Sequence, residues 1–284
     1  MTASATPLDA LLAEFRASHS VAHCRHAGET WRYQRVGVGT EPVMWLTGVL
    51  GRGEFAFAHI LALGDGFRVL APDYPPVHSL DHLVEGLVAI LDAEGLGAVH
   101  VISGSFGGMV AQHLVRRHPE RVRSLVLSHT AAPESDRARM AMVKAMVGTL
   151  GVWPGWLVRA LFRRRLRGIF AVADPFWLRY FDSTVAGLSQ ADLVSRVRLA
   201  AEFAGQTGYG PHDLDRWPGR VLIMDADDDP HMPAATRAAL RALYPQAEVH
   251  SFSGTGHSAA IMNPEGYAQV IRRFLVPGAT EPVL

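Results

Sequence analysis

The chain alternates short apolar runs with longer stretches in which apolar residues recur every third or fourth position. VMWLT (43–47), FRVLAPD (67–73), VHVIS (99–103) and SLVL (124–127) are nearly continuous apolar runs, which predicts strands buried on both faces of a sheet. Between them, residues 54–63 and 80–94 carry the helical period, and Leu83, Leu87, Ile90 and Leu91 share one face. A short amphipathic helix over 7–17 and two strands within HCRHAGETWRYQRVG (23–37), around the turn Ala27-Gly28-Glu29, come first. After Leu127 the rhythm breaks. Residues 134–213 show helical patterns rich in aromatics: Trp153, Trp156, Phe162, Phe170, Phe176, Trp177, Tyr180, Phe181 and Phe203. Pro154, Pro175 and Gly187 divide them. The alternation resumes with RVLIMDA (220–226), a helix over 235–243, AEVHSF (247–252) and a last helix over 264–275. This pattern predicts an α/β fold with a mostly parallel sheet and right-handed crossovers. Residues 1–133 and 214–284 form its core, and 134–213 form a helical cap with an aromatic pocket beneath it.

VISGSFGGMVAQHLVRRHPERVRSLVL (101–127) organises the rest. A strand ends near Ser103, the chain turns on Gly104, Ser105, Phe106, Gly107 and Gly108, and a helix runs from about Met109 to His118. A serine between small residues at a strand-to-helix turn is a nucleophile elbow. The serine backbone is expected at positive φ, where neighbouring bulk would clash. The helix N-terminus brings free N–H groups and a positive dipole end to the hydroxyl. The usual pattern is Gly-x-Ser-x-Gly, and here Ser103 stands at the first position.

A serine hydroxyl needs a base, and the base needs a group that orients it. The loop after 220–226 reads DDDPHMP, and the loop after 247–252 reads SGTGHS. Catalytic groups of open α/β sheets collect at the carboxyl ends of the strands. Ser105, an aspartate of the first loop and His257 are therefore expected at one edge. From position alone Asp225, Asp227, Asp228 and Asp229 all remain open as the acid.

Composition narrows the function classes. The chain has 284 residues and a formal net charge of zero, so it lacks the basic balance of a nucleic-acid-binding protein. A single cysteine, Cys24, excludes an internal disulfide framework and fits a reducing, cytoplasmic setting. The N-terminus has no basic region followed by an apolar run, and no stretch approaches the ~18 apolar residues of a membrane span. His19, His23, Cys24 and His26 lie close together, but no second ligand pair stands at a zinc-like spacing. Arg163, Arg164, Arg165 and Arg167 form a solvated helix face or a seat for an anionic substrate handle. His129 follows the strand ending at Leu127 and matches no role in a triad.

DDDPHMP, GTGHSAAIMNPEGYAQVIRRFL and the SFGG elbow resemble the corresponding segments of the α/β-hydrolase superfamily, and the likeness runs from Trp31 to Leu275. The order Ser, Asp, His is also that of these enzymes. The resemblance implies an α/β-hydrolase fold. It assigns the acid to Asp229, four residues before Pro233, with Asp228 as the fallback. It also implies an oxyanion hole built from the N–H groups of Phe106 and Val49. Hydrolases usually carry His-Gly in that second loop, whereas this chain has Thr47-Gly48. Within the superfamily, WRYQRVG, LALGDGFRVLAPDYPPVHSLDHL, VLIMDADDDP and ALRALYP resemble maspardin-like proteins. Those proteins also depart from His-Gly and are regarded as binding or trafficking proteins. This chain differs from them in keeping His257 in a Gly-x-Gly-His context.

The expectation is a serine hydrolase cleaving a carboxylic ester or thioester with an apolar acyl part. Ser105 attacks, His257 is base then acid, and Asp229 orients His257. Neither a metal nor an organic cofactor is required. The expected partner is a small apolar molecule, and a homodimer is the candidate assembly. Two other readings stand beside this one: a non-catalytic binding protein, and triad-based cleavage or elimination at a carbon–carbon bond. Serine rather than aspartate at 105 argues against dehalogenase or epoxide-hydrolase chemistry.

Overall fold

The computed structural model describes residues 8–133, 145, 147–169 and 174–276. Phe170 and much of 134–146, within the expected cap, lie outside the described residues. Eight strands form one sheet: β1 (Ser20–His26), β2 (Glu29–Val36), β3 (Glu41–Leu46), β4 (Phe67–Pro72), β5 (Val99–Gly104), β6 (Val122–Ser128), β7 (Arg220–Ala226) and β8 (Glu248–Phe252). Their order across the sheet is β1-β2-β4-β3-β5-β6-β7-β8. β1 and β2 are antiparallel to each other, and β2 is antiparallel to β4; the six strands from β4 to β8 run parallel. The hairpin at one edge turns on Ala27 (φ 49°) and Gly28 (φ 85°), where the sequence places it.

The parallel strands are apolar on both sides because both sides are covered. Val43, Trp45, Ile102, Val126, Leu222 and Met224 face one core, shared with α1 (Leu8–Ser18), α2 (Phe57–Leu63), α9 (Ala259–Met262) and α10 (Pro264–Leu275). Met44, Leu46, Val101, Leu125, Leu127 and Ile223 face the other. That second core is completed by α3 (Leu80–Ala93), α4 (Phe106–Arg117) and α8 (Ala234–Leu243). Each fully buried side chain of this kind contributes roughly 1.5–3 kcal/mol relative to exposure. Caps set the helix starts. Ser79 accepts from the His82 N–H at α3, and Asn263, followed by Pro264, accepts from the Gly266 N–H at α10.

Between β6 and β7 the described residues contain helices and no strand: α5 (Gly155–Ile169), α6 (Pro175–Gly187) and α7 (Gln190–Ala204). A Ser189–Asp192 capping box opens α7. Phe176, Trp177, Tyr180 and Phe181 of α6 join the first core and pack on Phe55 and Phe57, before and in α2. Two boundaries differ from the sequence reading. α4 begins at Phe106, three residues before Met109, because the glycines there are helical. The turn over 53–56 is a 3-10 helix that leads into α2.

Candidate active site

The sheet topology brings three loops to one edge. The chain leaves the sheet centre from β3 toward β4, then returns to β5 on the other side, opening a crevice at the carboxyl ends. β5, β6, β7 and β8 are neighbours in sequence order, so the loops after β5, β7 and β8 converge there.

Ser105 sits at the tip of the β5–α4 turn with φ 50° and ψ −117°, a strained conformation for a residue with a side chain. Three bonds hold it: its N–H donates to the Ser128 carbonyl (2.9 Å), and its carbonyl accepts from the Gly108 N–H (3.0 Å) and the Thr130 hydroxyl (2.8 Å). Gly107 is required by close approach, since a Cβ there would stand 2.2 Å from the Leu46 carbonyl oxygen and 2.6 Å from that of Thr47. Ser103, in the usual glycine position, turns its hydroxyl into the sheet, where it donates to the Val126 carbonyl at 2.6 Å.

His257 joins Ser105 to one of the four candidate carboxylates. Its Nδ1–H donates to Asp229 Oδ2 at 2.7 Å, which leaves Nε2 as the acceptor for the Ser105 hydroxyl at 3.2 Å. The other oxygen of Asp229 accepts from the His231 N–H (2.8 Å) and the Met232 N–H (3.1 Å). Burial alone would raise the Asp229 carboxyl; the bond and charge of His257 and the loop N–H outweigh this and hold it below its usual value. The remaining aspartates have other partners. Asp225 binds Arg241 and Ser251, Asp227 accepts from Ser253, and Asp228 accepts from the Gly256 N–H.

Two more imidazoles surround His257. The His129 ring lies edge-on to it at 5.7 Å and the His231 ring at 5.4 Å. His129 is buried with φ 46°, and its N–H donates to the Met224 carbonyl at 2.8 Å. Burial, with the nearby His257, pushes its pKa down to about 4. It is therefore neutral at pH 7.

The loop after β3 completes the edge. Val49 lines the pocket, and among the described residues its N–H has no backbone partner; Phe106 follows Ser105 as the first residue of α4. The first N–H groups of a helix have no partner within it, so the Phe106 donor is free by position. A cavity of about 130 Å³ opens at Ser105 and His257. Trp45, Leu50, Phe55, His59, Leu166, Phe181, Ile261 and Tyr267 line it with mostly apolar surface. His59 stacks on Trp45 and Trp177 and donates from Nε2 to the Ala260 carbonyl at 2.7 Å; burial pushes its pKa down to about 4. Trp45, Phe55, His59 and Tyr267 were not singled out from sequence. Trp45, next to the end of an apolar strand, was the detectable one; the others are brought in by packing between distant segments.

Elsewhere, Arg167 of the arginine run pairs with Asp182 on α6. His23, Cys24 and His26 lie along β1, and Cys24 is a free thiol. Among the described residues no group of three or more His, Cys, Asp or Glu is placed to hold a metal ion, and no helix is long and apolar enough to cross a membrane.

A serine at a strained strand–helix turn, joined through a histidine to a carboxylate across this sheet order, defines the α/β-hydrolase class. The chain belongs to the alpha/beta hydrolase family, whose model matches residues 36–270. Among curated relatives, 2-hydroxymuconate semialdehyde hydrolase of Pseudomonas putida is 27% identical over 224 residues, covering 73% of this chain and 76% of the relative. Human maspardin is 29% identical over 216 residues, covering 72% of this chain and 65% of its own length. A solved hydrolase from Pseudomonas aeruginosa superposes with a TM-score of 0.77 at 19% identity, covering 92% of this chain and 99% of that one.

Proposed function

We propose that the protein is a serine hydrolase acting on a carboxylic ester or thioester with a small apolar acyl part. The observation that carries this reading is the continuous bond chain from the Ser105 hydroxyl through His257 to Asp229. Ser105 Oγ attacks the carbonyl carbon and its proton passes to His257 Nε2. The oxyanion is received by the N–H groups of Val49 and Phe106. Collapse expels the alcohol or thiol, protonated by His257. Water, deprotonated by His257, then releases the acid and regenerates Ser105. Asp229 keeps the imidazole in the required tautomer and stabilises its cation.

The cavity sets the size of the acyl part. At about 130 Å³ it is close to the ~150 Å³ engineered cavity that admits benzene. A short alkanoyl or a single aryl ring fits this volume. Residues 134–213 act as the helical cap over this site, a reading supported by Leu166 and Ile169 of α5 and Phe181 of α6 in the pocket wall. The free thiol of Cys24 fits a cytoplasmic setting. A second reading, a non-catalytic binding protein, is favoured by Thr47 where hydrolases carry histidine and by the likeness to maspardin. Turnover of p-nitrophenyl acetate and butyrate by wild type and Ser105→Ala separates the two. The hydrolase reading expects activity that vanishes with Ser105; equal rates in both proteins end it.

A further inference from the structure

With threonine at position 47, the loop after β3 lacks the histidine side chain that commonly braces it. The structure supplies a different brace. Asp73 and Tyr74, just past β4, bind this loop at three points. The Tyr74 hydroxyl donates to the Thr47 carbonyl at 2.9 Å, the Tyr74 N–H donates to the Gly51 carbonyl at 2.9 Å, and the Gly53 N–H donates to Asp73 Oδ1 at 2.8 Å. The Thr47 carbonyl lies one peptide plane before the one that carries the Val49 N–H. The Tyr74 ring, fully buried, lies 5.9 Å from that of Phe106, the residue that carries the other donor. One side chain therefore reaches both the loop that carries Val49 and the ring of Phe106.

Tyr74 is held in turn from α7. The Arg196 guanidinium donates to the Tyr74 carbonyl and, at 3.1 Å, to the Pro75 carbonyl; it lies 5.5 Å from the Tyr74 ring centroid. Ser195, beside it, donates to the Val77 carbonyl at 2.6 Å. Arg196 is 1% exposed, and its nearest carboxylate, Asp192, is 3.9 Å away. Burying a guanidinium carries a large desolvation cost, so a placement this deep, with two backbone carbonyls accepting from it, marks a specific contact. The fit also constrains the loop: a Cβ on Gly51, which has φ 59°, would stand 2.7 Å from Arg196 Nε and 2.8 Å from the Tyr74 ring.

We propose that Tyr74 is the positioning residue of the oxyanion loop in this protein, aligning the Val49 N–H through the Thr47 carbonyl, and that Arg196 couples this brace to α7. The proposal rests on the serine-hydrolase reading above. It makes the order of the hole depend on the seating of a helix from the 134–213 span.

The test compares wild type, Tyr74→Phe, Arg196→Lys and Ser105→Ala in kcat and KM for p-nitrophenyl butyrate, in inhibition by butylboronic acid and in melting temperature. Boronates form a tetrahedral adduct on the serine and report on the hole. Tyr74→Phe is expected to lower kcat about tenfold, less than the ~10²–10³ for a donor lost outright, with KM nearly unchanged. The boronate Ki should rise in step with the fall in kcat, and Arg196→Lys should shift both in the same direction. If Tyr74→Phe does not fold, Arg196→Lys carries the comparison. Wild-type kcat and Ki in the folded variants, or a fall in kcat with Ki unchanged, would overturn the proposal while an inactive Ser105→Ala leaves the hydrolase reading standing. Undiminished turnover by Ser105→Ala would overturn that reading itself.

Discussion

Two buried histidines in the pocket wall give the fold a built-in acid sensitivity. His59 and His129 are each held near pKa 4, against an ordinary 6.5, because burial disfavours the charged ring. Since the folded pKa lies below the unfolded one, the unfolded chain binds more protons between the two values. The contribution to stability is therefore present above about 6.5 and is lost as pH falls toward 4. Between pH 7 and pH 5 the linkage relation gives about 2 kcal/mol per histidine, or about 4 kcal/mol for the pair. That is a large part of the ~5–15 kcal/mol by which a domain is usually stable. Urea unfolding followed by circular dichroism at pH 7, 6 and 5 measures it. His59→Gln removes one of these groups and should reduce the loss by about 2 kcal/mol, even if its stability at pH 7 is lower. An unfolding free energy flat from pH 7 to 5, or the same pH slope in wild type and His59→Gln, would refute the argument.

The remaining predictions concern the site. Asp229→Asn should lower kcat by about 10⁴, through loss of the correct imidazole tautomer, while Asp228→Asn should cost little; steady-state turnover of p-nitrophenyl butyrate tells them apart. Gly107→Ala forces a methyl against two backbone oxygens of the β3 end, at 2.2 and 2.6 Å, and should remove activity and lower the melting temperature. Phe181→Ala enlarges the pocket and should shift preference toward longer acyl esters, read as a rise in the ratio of kcat/KM for hexanoate over butyrate.

Much of the scaffold was legible because the sheet interior leaves little freedom. The apolar runs that became β3 to β7 are buried on both faces, and the helical period over 80–94 placed α3. The elbow was legible as a turn, but its glycines read as loop and hid the true start of α4 at Phe106. The choice among four aspartates was not open to local reasoning. Asp225, Asp227, Asp228 and Asp229 differ by a residue or two along one turn; the family resemblance singled out Asp229, and in the structure their partners separate them: Arg241, Ser253, the Gly256 N–H and His257. The bracing contacts of Tyr74 were not legible, because its partners Thr47 and Arg196 lie 27 and 122 residues away.

The central claim is that Ser105 is a nucleophile activated by His257 and Asp229. Intact-mass analysis after exposure to a fluorophosphonate tests it most directly, since the reagent reports activation of the serine whatever the natural substrate. The account predicts one adduct on wild type, mapped to Ser105, none on Ser105→Ala, and much slower labelling of His257→Ala and Asp229→Asn. A folded wild type that takes up no label, or equal labelling of wild type and Ser105→Ala, would contradict it.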